Sequence, residues 1–121
     1  MTEKIPPQSI EAEVMVLGSI LCDTDALHEV CLTPEMFYKE SHKILFDAIL
    51  KLSKTSTVDI TLLTDYLRKS GELEKIGGPV FLSHLTVLGG VGYMKIGPLF
   101  TDYSSIIRLN ELIRLTGVNL D

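Results

Sequence analysis

Cys22, His28 and Cys31 are the closest grouping of metal-capable soft donors in this chain. His28 and Cys31 are three residues apart, a spacing that shares one side of a helix. A structural zinc site takes four such donors, and no second cluster supplies the remainder. Ordinary core or surface roles are therefore expected for all three. Glu11 and Glu13 could be read as an acid/base pair. Two positions apart on a helix they point to different sides, so both are expected to be surface carboxylates that complement the helix dipole. His42 and His84 have hydroxyls nearby in sequence, yet no nucleophile with an orienting partner is readable. His42 is expected to pack near the start of its helix, and His84 to face outward or bond locally. Tyr38 and Tyr93 could stack on single-stranded nucleic acid, but without interleaved Arg or Lys packing is the plainer role. There is no G-x-x-x-x-G-K-[ST] loop for nucleotide phosphates. The segment "GGVG" lacks the preceding strand and the spacing of a dinucleotide fingerprint. The expectation is a chain with no catalytic residue, no cofactor ligand and no metal ligand.

Charge narrows the partners. The 121 residues carry a net charge of −5, and residues 1–40 hold eight acids against Lys4 and Lys39. No basic stripe is present, so direct binding of nucleic acid phosphates is not expected. An acidic surface keeps a domain soluble and can also meet a basic protein. Two cysteines are too few for a disulfide framework, and nothing resembles a signal peptide. The apolar stretches are too interrupted to span a bilayer. A cytoplasmic protein with reduced thiols is expected.

The elements that would position these side chains read as helices. In "PPQSIEAEVMVLGSIL", Ser9 is the expected N-cap. Ile10, Val14, Leu17 and Leu21 make the expected buried face. Gly18, costly in mid-helix, suggests a close helix crossing. "CDTDALHEVC" predicts a short second helix. "TPEMFY" has Thr33 as cap, Pro34 at the first helical position and Glu35 in the first turn. In "SHKILFDAILKLSK", Ile44, Leu45, Ala48, Ile49 and Leu52 share one face, with Lys43, Asp47 and Lys51 opposite at pairing distance. "DITLLTDYLRKSG" has Asp59 as cap, Leu63, Tyr66 and Leu67 inward, and Gly71 as stop. "GGPVFLSHLTVLGG" predicts a helix from Pro79 to Gly89–Gly90, with Phe81, Leu82, Leu85 and Leu88 inward. "GGVGYMKIGP" (89–98) reads as a loop. The last segment, "PLFTDYSSIIRLNELIRLTG", is helical with more apolar surface than one stripe needs. It either pairs with something outside its own domain or folds back onto the core; the sequence leaves both open. No segment reads as a strand. The fold class is all-α: a compact bundle of about six helices followed by the start of a helical hairpin.

Taken in order, three segments resemble one family. The first has Glu11, Ala12, Glu13, Val16, Leu17 and Gly18. The second, "MFYKESHKILFDAILKL", has Phe37, Tyr38, His42, Ile44, Phe46 and Leu52. The third has Val58, Asp59, Thr61, Leu62, Gly71, Leu73, Gly77, Gly78 and Leu82. Together they resemble the N-terminal domain of DnaB-type replicative DNA helicases over residues 6–88. The chain departs from that pattern at "LGGVGYMKIGP", where the family has a polar loop.

The resemblance implies residues 1–90 as the helical head and 91–121 as a linker loop with the first part of a helical hairpin. It implies a non-catalytic domain that packs with copies of itself, as a dimer and as the collar of a hexamer in the full-length protein. It also implies docking of primase and, in some systems, of a helicase loader, in bacterial or phage replication. ATP and Mg would belong to the RecA-like ATPase that follows in full-length members, which unwind DNA. Excess apolar surface places the expected self-association residues on the last helix: Phe100, Tyr103, Ile106, Ile107 and Ile113. Two other classes remain in view: a free-standing helical adaptor that never carried an ATPase, and a small metal-dependent enzyme on Cys22, His28 and Cys31. A reading frame continuing into a Gly-Lys-Ser/Thr loop would eliminate the first; stoichiometric zinc in purified protein would support the second.

Overall fold

The computed structural model describes residues 10–24, 27, 32–96 and 99–116; the side chains of 89–96, 99–103, 105, 106, 113 and 116 lie outside that description. Among the described residues there are five α-helices and no strand: α1 (Ile10–Cys22), α2 (Glu40–Ser53), α3 (Ile60–Ser70), α4 (Gly78–Ile96) and α5 (Leu99–Thr116). Two short 3₁₀ turns, Pro34–Met36 and Glu74–Ile76, join them. The expected N-cap Ser9 and most of the expected helix over 22–31 fall outside the described residues.

α2 and α3 form because local signals agree. The Asp59 side chain accepts from the Leu62 N–H at 2.9 Å, satisfying one of the free donors of the first turn of α3. At the other end Gly71 takes a left-handed conformation with φ 78°. Its N–H reaches the Arg68 carbonyl and the Glu72 N–H reaches that of Leu67, the paired closure of a Schellman motif. Leu63 and Leu67 are buried, with Tyr66 half-buried. In α2 the inward row is His42, Leu45, Phe46, Ala48, Ile49 and Leu52. Ile44 lies at its edge, and Lys51 pairs with Asp47 at 2.9 Å on the outside.

Several expectations about the helices need correction; among them, Leu88, expected inward on α4, is exposed. Thr33 does not cap through its side chain, and the helical run after it ends at Met36. The buried face of α1 is Ala12, Glu13, Val16, Leu17 and Ile20, rotated from the expected row; Ile10, Val14 and Leu21 sit at its margin. With apolar residues on nearly every side, α1 has no unique stripe, so its neighbours choose the face. The "GGVGYMKIGP" segment is not a loop at its start: α4 runs through Gly89, Gly90 and Gly92 to Ile96. Each helical glycine costs about 1 kcal/mol. Helix propagation and packing along α1, against which α4 makes the most extensive helix–helix contact of the fold, outweigh that cost.

α5 returns to the bundle. It packs against α1, and Ile107 joins the core formed by Leu17, Ile20, Phe37, Phe46, Leu82 and Leu85. Of the two fates open to the last helix, folding back onto the head is the one observed for this face.

Candidate functional site

The chemistry-bearing residues converge where α1 meets the head of α2. Glu13 is 2 % exposed and His42 is fully buried. The Glu13 carboxylate accepts from the Tyr38 N–H at 2.6 Å and, more weakly, from the Lys39 N–H at 3.4 Å. His42 Nδ1 lies 2.7 Å from Glu13 Oε1. Both oxygens already accept from backbone donors, so the imidazole supplies the proton: Nδ1–H donates to the carboxylate. The charge is thus matched by three donors, as a buried carboxylate requires. It also sits at the N-terminal end of α2, where the helix dipole favours it. The expectation that Glu13 is a surface carboxylate is overturned; Glu11, two positions away, is the exposed one.

The other face of the imidazole meets Phe81 of α4, the rings stacked with centroids 6.0 Å apart. His42 Nε2 is buried without a hydrogen-bond partner. One side chain therefore touches α1, α2 and α4. An acid/base dyad needs access for a reacting molecule, and this pair is closed on every side. Its role is to fix the helix junction.

Tyr38 links this junction to the last helix. Its ring is half open to solvent, and the Arg114 guanidinium lies over it, 5.5 Å from the centroid. The same guanidinium donates from Nη2 to the Met36 carbonyl at 2.8 Å. Tyr38 is thus a packing platform for a cation of its own chain. Tyr93 has no described side chain.

Elsewhere the candidates do not converge. His84 is exposed on α4. Cys22 Sγ donates to the Thr86 carbonyl at 3.0 Å, and burial pushes its thiol up from the ordinary value. His28 and Cys31 lie outside the described residues, and among the described ones no three His, Cys, Asp or Glu side chains gather as a metal site. Of the five expected self-association residues, Ile107 is the one with a described side chain. At 2 % exposure it serves this chain's own core and cannot also be surface; Phe100, Tyr103, Ile106 and Ile113 lie outside the description. The described apolar side chains that α5 shows to solvent are Leu109, Leu112 and Leu115, exposed by 55 %, 56 % and 73 %. A shallow groove of about 490 Å³ runs between α3 and the start of α4, lined by Ile60, Leu62, Asp65, Arg68, Pro79 and Ser83. Val80 and Val87 are exposed on α4 nearby. Among the described residues no helix is long and apolar enough to cross a membrane.

Sequence reasoning missed the Glu13–His42 pair and Arg114. The signal for Glu13 was present: residues 13, 16, 17 and 20 follow an i, i+3, i+4, i+7 row, and its polar type hid it. Arg114 carried no comparable signal, because its partners are far away in the chain.

Comparison with known proteins agrees with this architecture. The profile of the DnaB-like helicase N terminal domain matches residues 5–89. A replicative DNA helicase DnaB of Geobacillus stearothermophilus is 44% identical over 87 residues, 69% of this chain and 19% of that protein. One from Leifsonia xyli subsp. xyli is 39% identical over 119 residues, 93% of this chain and 24% of that protein. The chain thus spans less than a quarter of the length of these curated relatives. The crystal structure of the N-terminal domain of DnaB helicase from Mycobacterium tuberculosis superposes with a TM-score of 0.81 at 31% identity, covering 93% of this chain and 80% of that one. These matches, with the shared helical architecture, place the chain in the DnaB-like helicase N-terminal domain family.

Proposed function

We propose that this chain is a non-catalytic assembly and docking domain of a hexameric replicative helicase, associating with copies of itself and presenting a surface to primase or a loader. The observation that supports self-association is the row Leu109, Leu112 and Leu115 on α5. Three leucines at i, i+3 and i+6 form an apolar strip that is stable in water only at a cost of about 25 cal/mol per Å² left uncovered. Phe100, Tyr103, Ile106 and Ile113 remain candidates for the same contact; Ile107 does not, since it is core. ATP and Mg would act in the full-length protein, in a separate ATPase domain, where unwinding would occur.

The test is the mass of the 121-residue chain by light scattering across a concentration series, with parent and Leu109→Glu/Leu112→Glu protein compared. Self-association through α5 requires a mass that climbs toward the dimer in the parent and stays monomeric in the variant. Equal masses at every concentration would remove α5 as the contact.

A further inference from the structure

We infer that residues Met36–Tyr38 form a strap that couples the buried Glu13–His42 pair to the seating of the last turns of α5. The strap is held at both edges. From the inside, Glu13 accepts the Tyr38 N–H. From the outside, Arg114 takes the Met36 carbonyl and covers the Tyr38 ring. The neighbouring Phe37 is buried between them, 4.9 Å from the Phe46 ring of α2, so the strap cannot slide without moving a core aromatic.

Two of the described seats of α5 differ in character. Ile107 and Arg114 are seven residues apart, two helical turns along one face. The Ile107 anchor is dry; the Arg114 contact is half-solvated and includes a hydrogen bond and a cation–π contact. Contacts of the second kind are individually weak and open locally without global unfolding. The last turns of α5 can therefore lift while Ile107 holds, and Leu112 and Leu115 move with them. Because Arg114 and Glu13 grip the same three-residue strap, release at one edge loosens the other, and the coupling is reciprocal. The strap rests on the self-association reading only for what the leucines do when they move; the coupling itself does not.

Amide hydrogen exchange on the whole chain tests it with Arg114→Ala. This variant removes no core atom and leaves Glu13 and its acceptor oxygens intact. The expected result is exchange of the residue 110–116 amides faster by about tenfold, with the Tyr38 and Lys39 amides faster by about fivefold, while α3 amides keep the parent rates. Tyr38→Leu, which keeps the backbone donor but removes the ring, should accelerate the residue 110–116 amides in the same way. If Arg114→Ala frees α5 but leaves Tyr38 and Lys39 at parent rates, the two grips are independent and the strap is overturned. Light scattering read on the same samples separates this failure from that of self-association.

Discussion

The α1–α2 junction and the outer face of α5 invert each other. In the junction, a carboxylate and an imidazole sit where apolar side chains are usual, 2 % and 0 % exposed. On α5, three leucines sit where polar side chains are usual. The junction tolerates polarity because each Glu13 oxygen has a donor, and an unmatched buried charge would not survive there. The three described leucines of α5 stay exposed instead. A buried carboxylate with a donor on each oxygen explains itself within one chain, even though His42 Nε2 beside it stays without a partner; an exposed apolar row invites a partner outside it. The first concerns the stability of one chain; the second bears on the proposed self-association.

Breaking that comparison starts with the junction. Glu13→Ala leaves the buried His42 Nδ1–H and two half-buried backbone N–H groups without their acceptor, and a loss of about 2–4 kcal/mol is expected. Urea denaturation followed by circular dichroism measures it; a loss below that of an ordinary surface change would mean that water replaces the carboxylate. Next is the division of α5 into core and surface. Ile107→Ala should cost about 2–4 kcal/mol as a cavity in the core. Leu115→Ala, on the exposed side, should stay within about 0.5 kcal/mol in dilute protein. Equal losses at the two positions in the same titration would contradict the seating of α5.

Smaller effects sharpen the contrast between local and distant contacts. Asp59→Ala removes a cap made three residues away and should cost about 1 kcal/mol, read as a shift of the denaturation midpoint without a change of slope. Cys22 has the smallest consequence. Its thiol is held up by burial and donates to the Thr86 carbonyl, so less thiolate is available at a given pH. In a Cys31→Ser background, iodoacetamide should label Cys22 more slowly at pH 8 than it labels a free cysteine peptide, with the gap closing as pH rises. Labelling at the peptide rate would show that the thiol is not shielded.

Legibility followed the distance over which each signal acts. Asp59 and Gly71 delimit α3 through hydrogen bonds within its own turns, and both could be read directly. The expected face of α2 held for Leu45, Ala48, Ile49 and Leu52 because polar residues mark its opposite side. α1 has no such marking, so periodicity selected Ile10, Val14, Leu17 and Leu21 while the fold buries Ala12, Glu13, Val16, Leu17 and Ile20. Glycine signals misled at 89–92 because their penalty is local, whereas the packing of α4 on α1 is not. Of the candidate sites, Glu13 and His42 were both singled out, but for unconnected roles.

The sequence by itself determined the all-helical class, the limits of α2 and α3, and three ordered signatures that identify the family. Capping, helix propensity and apolar periodicity act within about one or two turns, so a string of residues contains them in full. Only the tertiary structure decided that Glu13 goes inside to meet His42, 29 residues away, and that Arg114 reaches Met36 across 78 residues. Such pairs have no local signature. Their stability comes from excluding water at a junction that exists only after the helices have packed, and that junction also turned one face of α5 inward and left its leucines outside.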